Sequence, residues 1–155
     1  MARITIDLPD NFIFTTKIPV RVTDLNYGGH VGNDSILSLM QEARVLFYRS
    51  LGFESEIKLQ GDVGQITAEA AIVYKSESFL GDVLEIKTAV ADTSKYGFDL
   101  LYLLTNEKTG KEVARGKTGI VCFDYARRKI ATVPEVMKEK LKIAWSVSEK
   151  LSGTT

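Results

Sequence analysis

From Arg21 to Asp34 the chain reads RVTDLNYGGHVGND, a short stretch that gathers Asp24, Asn26, His30, Asn33 and Asp34 around Gly28, Gly29 and Gly32. His30 is the single histidine of the sequence. An imidazole is matched to proton transfer near neutral pH, and glycines let a substrate come close to the backbone. Asn33 or Asp34 is suited to cap a helix that begins here. A helix start carries unpaired N–H groups and a partial positive charge, which favours a polarised carbonyl or a developing oxyanion. Each residue also has a plainer use: His30 as a hydrogen-bonded turn cap, Asp24 as an Asx-turn residue, Asn33 and Asp34 as helix caps.

The flanking pattern supplies the elements that would hold this turn. Phe12 to Val22 is β-rich, with Pro19 marking an edge position or a bulge. A helix runs from Asn33 or Asp34 to Leu51 and ends at Gly52. Ile36, Leu39, Met40, Ala43 and Phe47 form its apolar stripe, widened by Leu37, Leu46 and Leu51, so it needs cover on more than one side. Strands are expected at Ile66 to Phe79, Val83 to Thr93, Gly97 to Asn106 and Lys111 to Asp124, with turns at Gly81-Asp82 and from Asn106 to Gly110. Pro134 opens a second helix to about Leu151, with Met137, Leu141, Ala144 and Trp145 on one face, and Ser152 to Thr155 read as a loose tail. One antiparallel sheet curled around one long helix is the simplest burial for this order, an α+β domain over residues 1–155. Such a sheet leaves strand edges that a second copy would cover.

Composition narrows the function. Lys plus Arg and Asp plus Glu are 20 each, so no global field draws in nucleic acid or an anionic membrane. Cys122 lies in an apolar stretch and is expected to be a buried structural thiol in a reducing compartment. The opening MARITIDLPDNF lacks the apolar run of a signal peptide, and no 18 apolar residues follow one another; a soluble, cytoplasmic protein is expected. No ligand spacing for a metal, no phosphate-binding loop and no dinucleotide pattern occurs, so neither cofactor nor metal is expected.

Asp24-Leu25-Asn26, Gly29-His30-Val31, Asn33 and Glu42-Ala43-Arg44 resemble the 4-hydroxybenzoyl-CoA thioesterase-like branch of the hotdog superfamily. Weaker matches are Tyr74, Gly81-Asp82 and Phe123-Asp124 to Arg128 before Pro134-Glu135. The resemblance implies a hotdog fold, a homodimer or dimer of dimers, and hydrolysis of an acyl-CoA or acyl-carrier thioester. It also places the carboxylate of better-understood relatives on Asn26, and an amide can be neither nucleophile nor base. The chemistry would then pass to the rest of the cluster: Asn33, His30 or Gly32 donating to the carbonyl, His30 or Asp34 activating water, Asn26 orienting it, and Asp24 holding the turn. Leu37 and Met40 would line the acyl pocket, while Arg127 and Arg128, with Lys117 and Lys129 nearby in type, would meet CoA phosphates. Glu42 would either reach a neighbouring active site or pair with Arg49. The missing carboxylate also suits a non-catalytic acyl-thioester or lipid-binding module, and a hydroxyacyl-thioester dehydratase is a third reading.

Overall fold

Alternating apolar residues fix the sheet, and helical spacing fixes what it wraps. The computed structural model describes residues 3–142. In chain order it contains β1 (Phe14–Pro19), a 3₁₀ turn (Val22–Asp24), α1 (Asn33–Ser50), β2 (Val63–Tyr74), β3 (Val83–Ala91), β4 (Gly97–Asn106), β5 (Glu112–Asp124) and β6 (Lys129–Ile130). Residues 135–142 are helical; the rest of the helix expected to Leu151, with Ala144 and Trp145, and the tail from Ser152 lie outside the described residues.

The strands form one antiparallel sheet in the order β1-β3-β4-β5-β2, with β6 beside β5. β1 and β2 are therefore the outer strands, and Pro19, the last residue of β1, sits where a missing N–H does least harm. β2 starts earlier and stops earlier than the alternation suggests, because Gly64 and Gln65 are already buried against the preceding loop while Ser76 to Leu80 leaves the sheet for the glycine turn.

Ile36, Leu39, Met40, Ala43 and Phe47 of α1 are buried against Leu84 and Ile86 of β3, Leu100 and Leu104 of β4 and Ile120 of β5 in one continuous core. Gly116 is needed for that contact, since a Cβ there would lie 2.2 Å from the Met40 sulfur. Burying each such side chain contributes about 1.5–3 kcal/mol, enough to hold the start of α1 in a fixed place against the sheet. Cys122 is fully buried, and burial pushes its thiol up to about 11, so the native chain is expected to react slowly with thiol reagents.

Candidate active site

The glycine turn is a small closed loop anchored at both ends. Leu25 and Val31 face each other across an antiparallel bridge, the Asn26 N–H donates to the His30 carbonyl at 2.8 Å, and the Gly32 N–H donates to the Asp24 carbonyl at 3.0 Å. Val31 N–H donates to the Ser78 carbonyl at 2.8 Å, which ties the loop to the segment leaving β2. Gly29 has φ +81°, a left-handed conformation that a side chain would oppose. The Asx-type contact belongs to Asn26, whose Oδ1 accepts the Gly28 N–H at 2.8 Å, and not to Asp24.

Asp24 is buried, and its carboxylate accepts the Arg21 backbone N–H at 2.8 Å and two guanidinium N–H groups at 3.3 and 3.1 Å. Burial alone would raise its pKa, but the Arg21 hydrogen bonds and charge outweigh it and leave the carboxyl below its ordinary value. A lowered folded-state pKa gives stability that is complete above the unfolded value of about 3.9 and lost as pH falls through the folded value. Asp24→Asn is expected to lower stability by about 1–2 kcal/mol at pH 7, as read by urea unfolding, with the gap to wild type shrinking below about pH 4.

Three side chains converge on the glycines. A Cβ on Gly28 would stand 3.2 Å from both Asn26 Oδ1 and His30 Nε2, and a Cβ on Gly32 would stand 2.6 Å from Asp34 Oδ1 and 3.5 Å from Asn26 Cβ. Asn26, His30 and Asp34 thus border one open floor that only glycine leaves clear. The helix cap is Gly32, one residue before Asn33 and two before Asp34, because its extended backbone already accepts the Ile36 N–H. Asn33 is the first helical residue, and its side chain covers the Asp34 N–H at 3.0 Å. Among the described residues no acceptor meets the N–H of Asn33 or Ser35. The Gly32 N–H is engaged with Asp24 and cannot serve as a carbonyl donor; what Gly32 contributes is the lack of a side chain.

His30 is one-third exposed, with Nδ1 3.3 Å from the Val31 carbonyl. A carbonyl only accepts, so Nδ1 is the donor in this contact, and in the neutral ring Nε2 then carries the lone pair. Glu77 Oε1 lies 3.9 Å from that Nε2. Sequence reasoning missed Glu77, which no spacing rule ties to His30; the bridge between His30 and Phe79 brings it there. Tyr74, singled out only as a weak motif match, donates its hydroxyl to the Asn33 carbonyl at 2.9 Å and so fixes the end of β2 against the start of α1. Partial burial, and then the Asp34 carboxylate, raise the Tyr74 pKa.

The other expected residues are dispersed. Leu37 is half-exposed and borders a recess of about 350 Å³ between α1 and β2. Met40 is fully buried in the core against Gly116, facing away from that recess. Arg127 and Arg128 are exposed in the β5–β6 turn, Arg128 over the Phe123 ring at 5.4 Å and Arg127 4.0 Å from Asp124. Lys117 is held by Glu69 at 3.1 Å and Asp99 at 3.3 Å, which removes it from the phosphate candidates. Lys129 is the exposed partner of Asp124 in the β5–β6 register. Glu42 is exposed and forms no ion pair with Arg49 among the described residues. A larger cavity of about 1040 Å³ opens between the N-terminal segment at Leu8, the β3–β4 hairpin and helix 135–142, and none of residues 24–34 borders it. Its lining mixes Leu8, Phe98 and Leu101 with Asp7, Asp92 and Lys95 and lacks the imidazole and free amides of the turn, while the smaller recess adjoins the same helix that the turn opens, beginning at Leu37.

An antiparallel sheet wrapped around one long helix, with a glycine turn delivering an imidazole to the helix start, defines a hotdog-fold protein of the thioesterase kind. The chain belongs to the thioesterase-like superfamily, whose family model matches residues 20–141. Among solved structures it is similar to Slr0204, a 1,4-dihydroxy-2-naphthoyl-CoA thioesterase from Synechocystis, with a TM-score of 0.76 and 23% identity over 84% of this chain and 95% of that one. It is similar also to SAV2348 from Staphylococcus aureus, solved in complex with CoA, with a TM-score of 0.78 and 18% identity over 92% of this chain and 88% of that one. In sequence it is 28% identical over 131 residues to a Synechocystis protein named as a candidate esterase, covering 83% of this chain and 78% of that protein. No helix among the described residues is long and apolar enough to cross a membrane.

Proposed function

We propose that this protein hydrolyses an acyl-CoA or acyl-carrier thioester to the free acid and the thiol. The observation that carries this reading is the gathering of Asn26, His30 and Asp34 around Gly28 and Gly32, directly before a helix whose first N–H, that of Asn33, meets no acceptor among the described residues. The thioester carbonyl lies over the start of α1, where the Asn33 N–H and the helix field stabilise the charge that grows on oxygen. His30 Nε2 takes a proton from water as that water attacks the carbonyl carbon. Glu77 faces the imidazolium that forms and stabilises it, and the Asn26 amide hydrogens orient the water. Collapse of the tetrahedral species breaks the C–S bond, and the proton on Nε2 passes to the departing sulfur. With an amide at position 26, attack is by water directly, and no acyl-enzyme bond to that residue forms.

Asp34 is the other acid–base candidate beside the floor, but it has neither the orienting bond nor the charged partner of His30. The Asn26 amide also supports a second reading, a module that binds the thioester without cleaving it. Octanoyl-CoA and benzoyl-CoA separate the two in a chromogenic thiol-release assay, and the buried Cys122 adds no background. Release at a rate proportional to protein and well above the uncatalysed rate supports hydrolysis; micromolar binding with no release supports the module and contradicts hydrolysis.

The assembly we propose is a two-fold dimer through β2. This outer strand exposes Ile66, Ala68, Ala70 and Tyr74 at alternating positions beside Thr67 and Glu69, a largely apolar row that a second copy would cover. Two-fold pairing of one strand with its copy is antiparallel. Within one chain β2 separates the β5–β6 arginines, beside Val63, from the α1 start, beside Tyr74, by about 35 Å at 3.3 Å per residue. Antiparallel pairing supports a shared site in which the arginines of one copy serve the helix start of the other and meet the CoA phosphates there. A dimer of dimers would need a further face. The unpaired, buried Cys122 is compatible with a cytoplasmic location.

A further inference from the structure

The recess between α1 and β2 has a floor unlike its walls. Leu37, Ile57, Ile66 and Ala70 make the walls largely apolar, but the bottom is formed by Arg44, Glu56 and Gln65. Arg44 is only 5% exposed. It donates from Nε to Glu56 at 3.1 Å and from Nη1 to the Tyr102 hydroxyl at 3.2 Å. Gln65 donates to the second Glu56 oxygen at 3.2 Å and accepts from the Tyr48 hydroxyl at 2.7 Å, and Tyr102 and Thr118 share a hydrogen bond of 2.8 Å. Every member of this buried network is thus partnered, except that Arg44 Nη2 makes no hydrogen bond among the described residues. Among the described residues the sealed side-chain polar atoms without partners are Ser78 Oγ and Thr88 Oγ1, so Nη2 keeps some exposed surface, and Arg44 lines the recess.

A buried guanidinium with two undirected N–H donors is costly unless something accepts from it. On α1 the recess is lined by Leu37, Gln41 and Arg44. Asn33, Leu37, Gln41 and Arg44 share one face of α1, and Arg44 is about 16 Å along the axis from Asn33 at 1.5 Å per residue. Helical side chains lean back toward the N-terminus, which brings the guanidinium to roughly 10 Å from a carbonyl at the helix start. That is about the length of an extended eight-carbon acyl group.

Resting on the thioesterase reading, we propose that the recess selects acyl groups of about this length that carry an oxygen at their far end, a hydroxyl or keto group accepting from Arg44 Nη2. A plain alkyl end would leave those donors unpaired and dry. The glutamate beside Arg44 keeps the floor neutral overall, which favours an uncharged oxygen over a carboxylate.

Matched pairs test this: 8-hydroxyoctanoyl-CoA against octanoyl-CoA for thiol release, and the thioether analogues of both for binding by calorimetry. The wild-type protein is expected to prefer the oxygenated partner by at least about 10-fold in kcat/KM and in Kd. Arg44→Lys keeps the charge but removes the Nη2 fork, and is expected to bring both ratios toward one. Equal or reversed ratios for the wild-type protein overturn the proposal, whether or not the lysine variant folds. Absence of thiol release from both esters would overturn hydrolysis alone, since the Kd ratio of the thioethers still decides what the recess selects.

Discussion

His30→Ala lowers kcat for thiol release by about 10²–10⁴-fold while leaving the thermal midpoint within a few degrees of wild type. The ring is partly exposed, its one backbone contact is the 3.3 Å approach to the Val31 carbonyl, and the loop around it is closed by backbone hydrogen bonds that alanine retains. Little stability therefore depends on the imidazole, but the base is lost. KM should change less than kcat, because the Asn33 N–H and the recess still bind the ester. An unchanged kcat in a folded variant would remove His30 from the mechanism and leave Asp34 as the nearest acid–base group. Glu77→Gln offers a finer reading of the same dyad: loss of the facing carboxylate, 3.9 Å from Nε2, is expected to lower kcat in the same thiol-release assay by less than His30→Ala does.

The second large effect concerns two copies at once. If the arginines of one chain serve the helix start of the other, His30→Ala and the double variant Arg127→Ala/Arg128→Ala fail for complementary reasons. Each alone should be poor at low substrate, the first in kcat and the second in KM. Random exchange of equimolar subunits makes half of the dimers mixed, and each mixed dimer then contains one site with a histidine and both arginines intact. Activity is expected to rise to about a quarter of the wild-type value as subunits exchange. Proof of exchange without any rise would mean that each site is complete within one chain, contrary to the β2 pairing.

The sequence revealed the scaffold better than it revealed the reacting groups. The apolar stripe of α1 and the alternation in β3 depend only on local periods, and both are observed within a residue or two. The glycine turn was legible because residue types that are uncommon together occur side by side, and the structure gathers Asn26, His30 and Asp34 around it. The helix cap was displaced by one or two residues because Gly32 is held in place by a tertiary bond to Asp24, which no local rule contains. Glu77 and Tyr74 meet the turn only because the sheet carries the end of β2 past the start of α1, a contact set by register. Met40 fits a pocket as well as a core by type, and the missing Cβ of Gly116 decides for the core. Arg44 lies within the apolar part of the helix, its partners Glu56 and Tyr102 come from separate segments, and Gln65 joins through Glu56 from a third, so its buried network could not be read from spacing.

The most direct test of the central claim is amide NMR of the intact protein titrated with a thioether analogue of octanoyl-CoA, which binds but cannot be cleaved. A carbonyl held over the start of α1 accepts from Asn33, so the Asn33 N–H should move downfield and exchange more slowly with solvent, together with a change at the His30 ring. Saturation of the protein with the Asn33 amide and the His30 ring both unmoved would contradict the account.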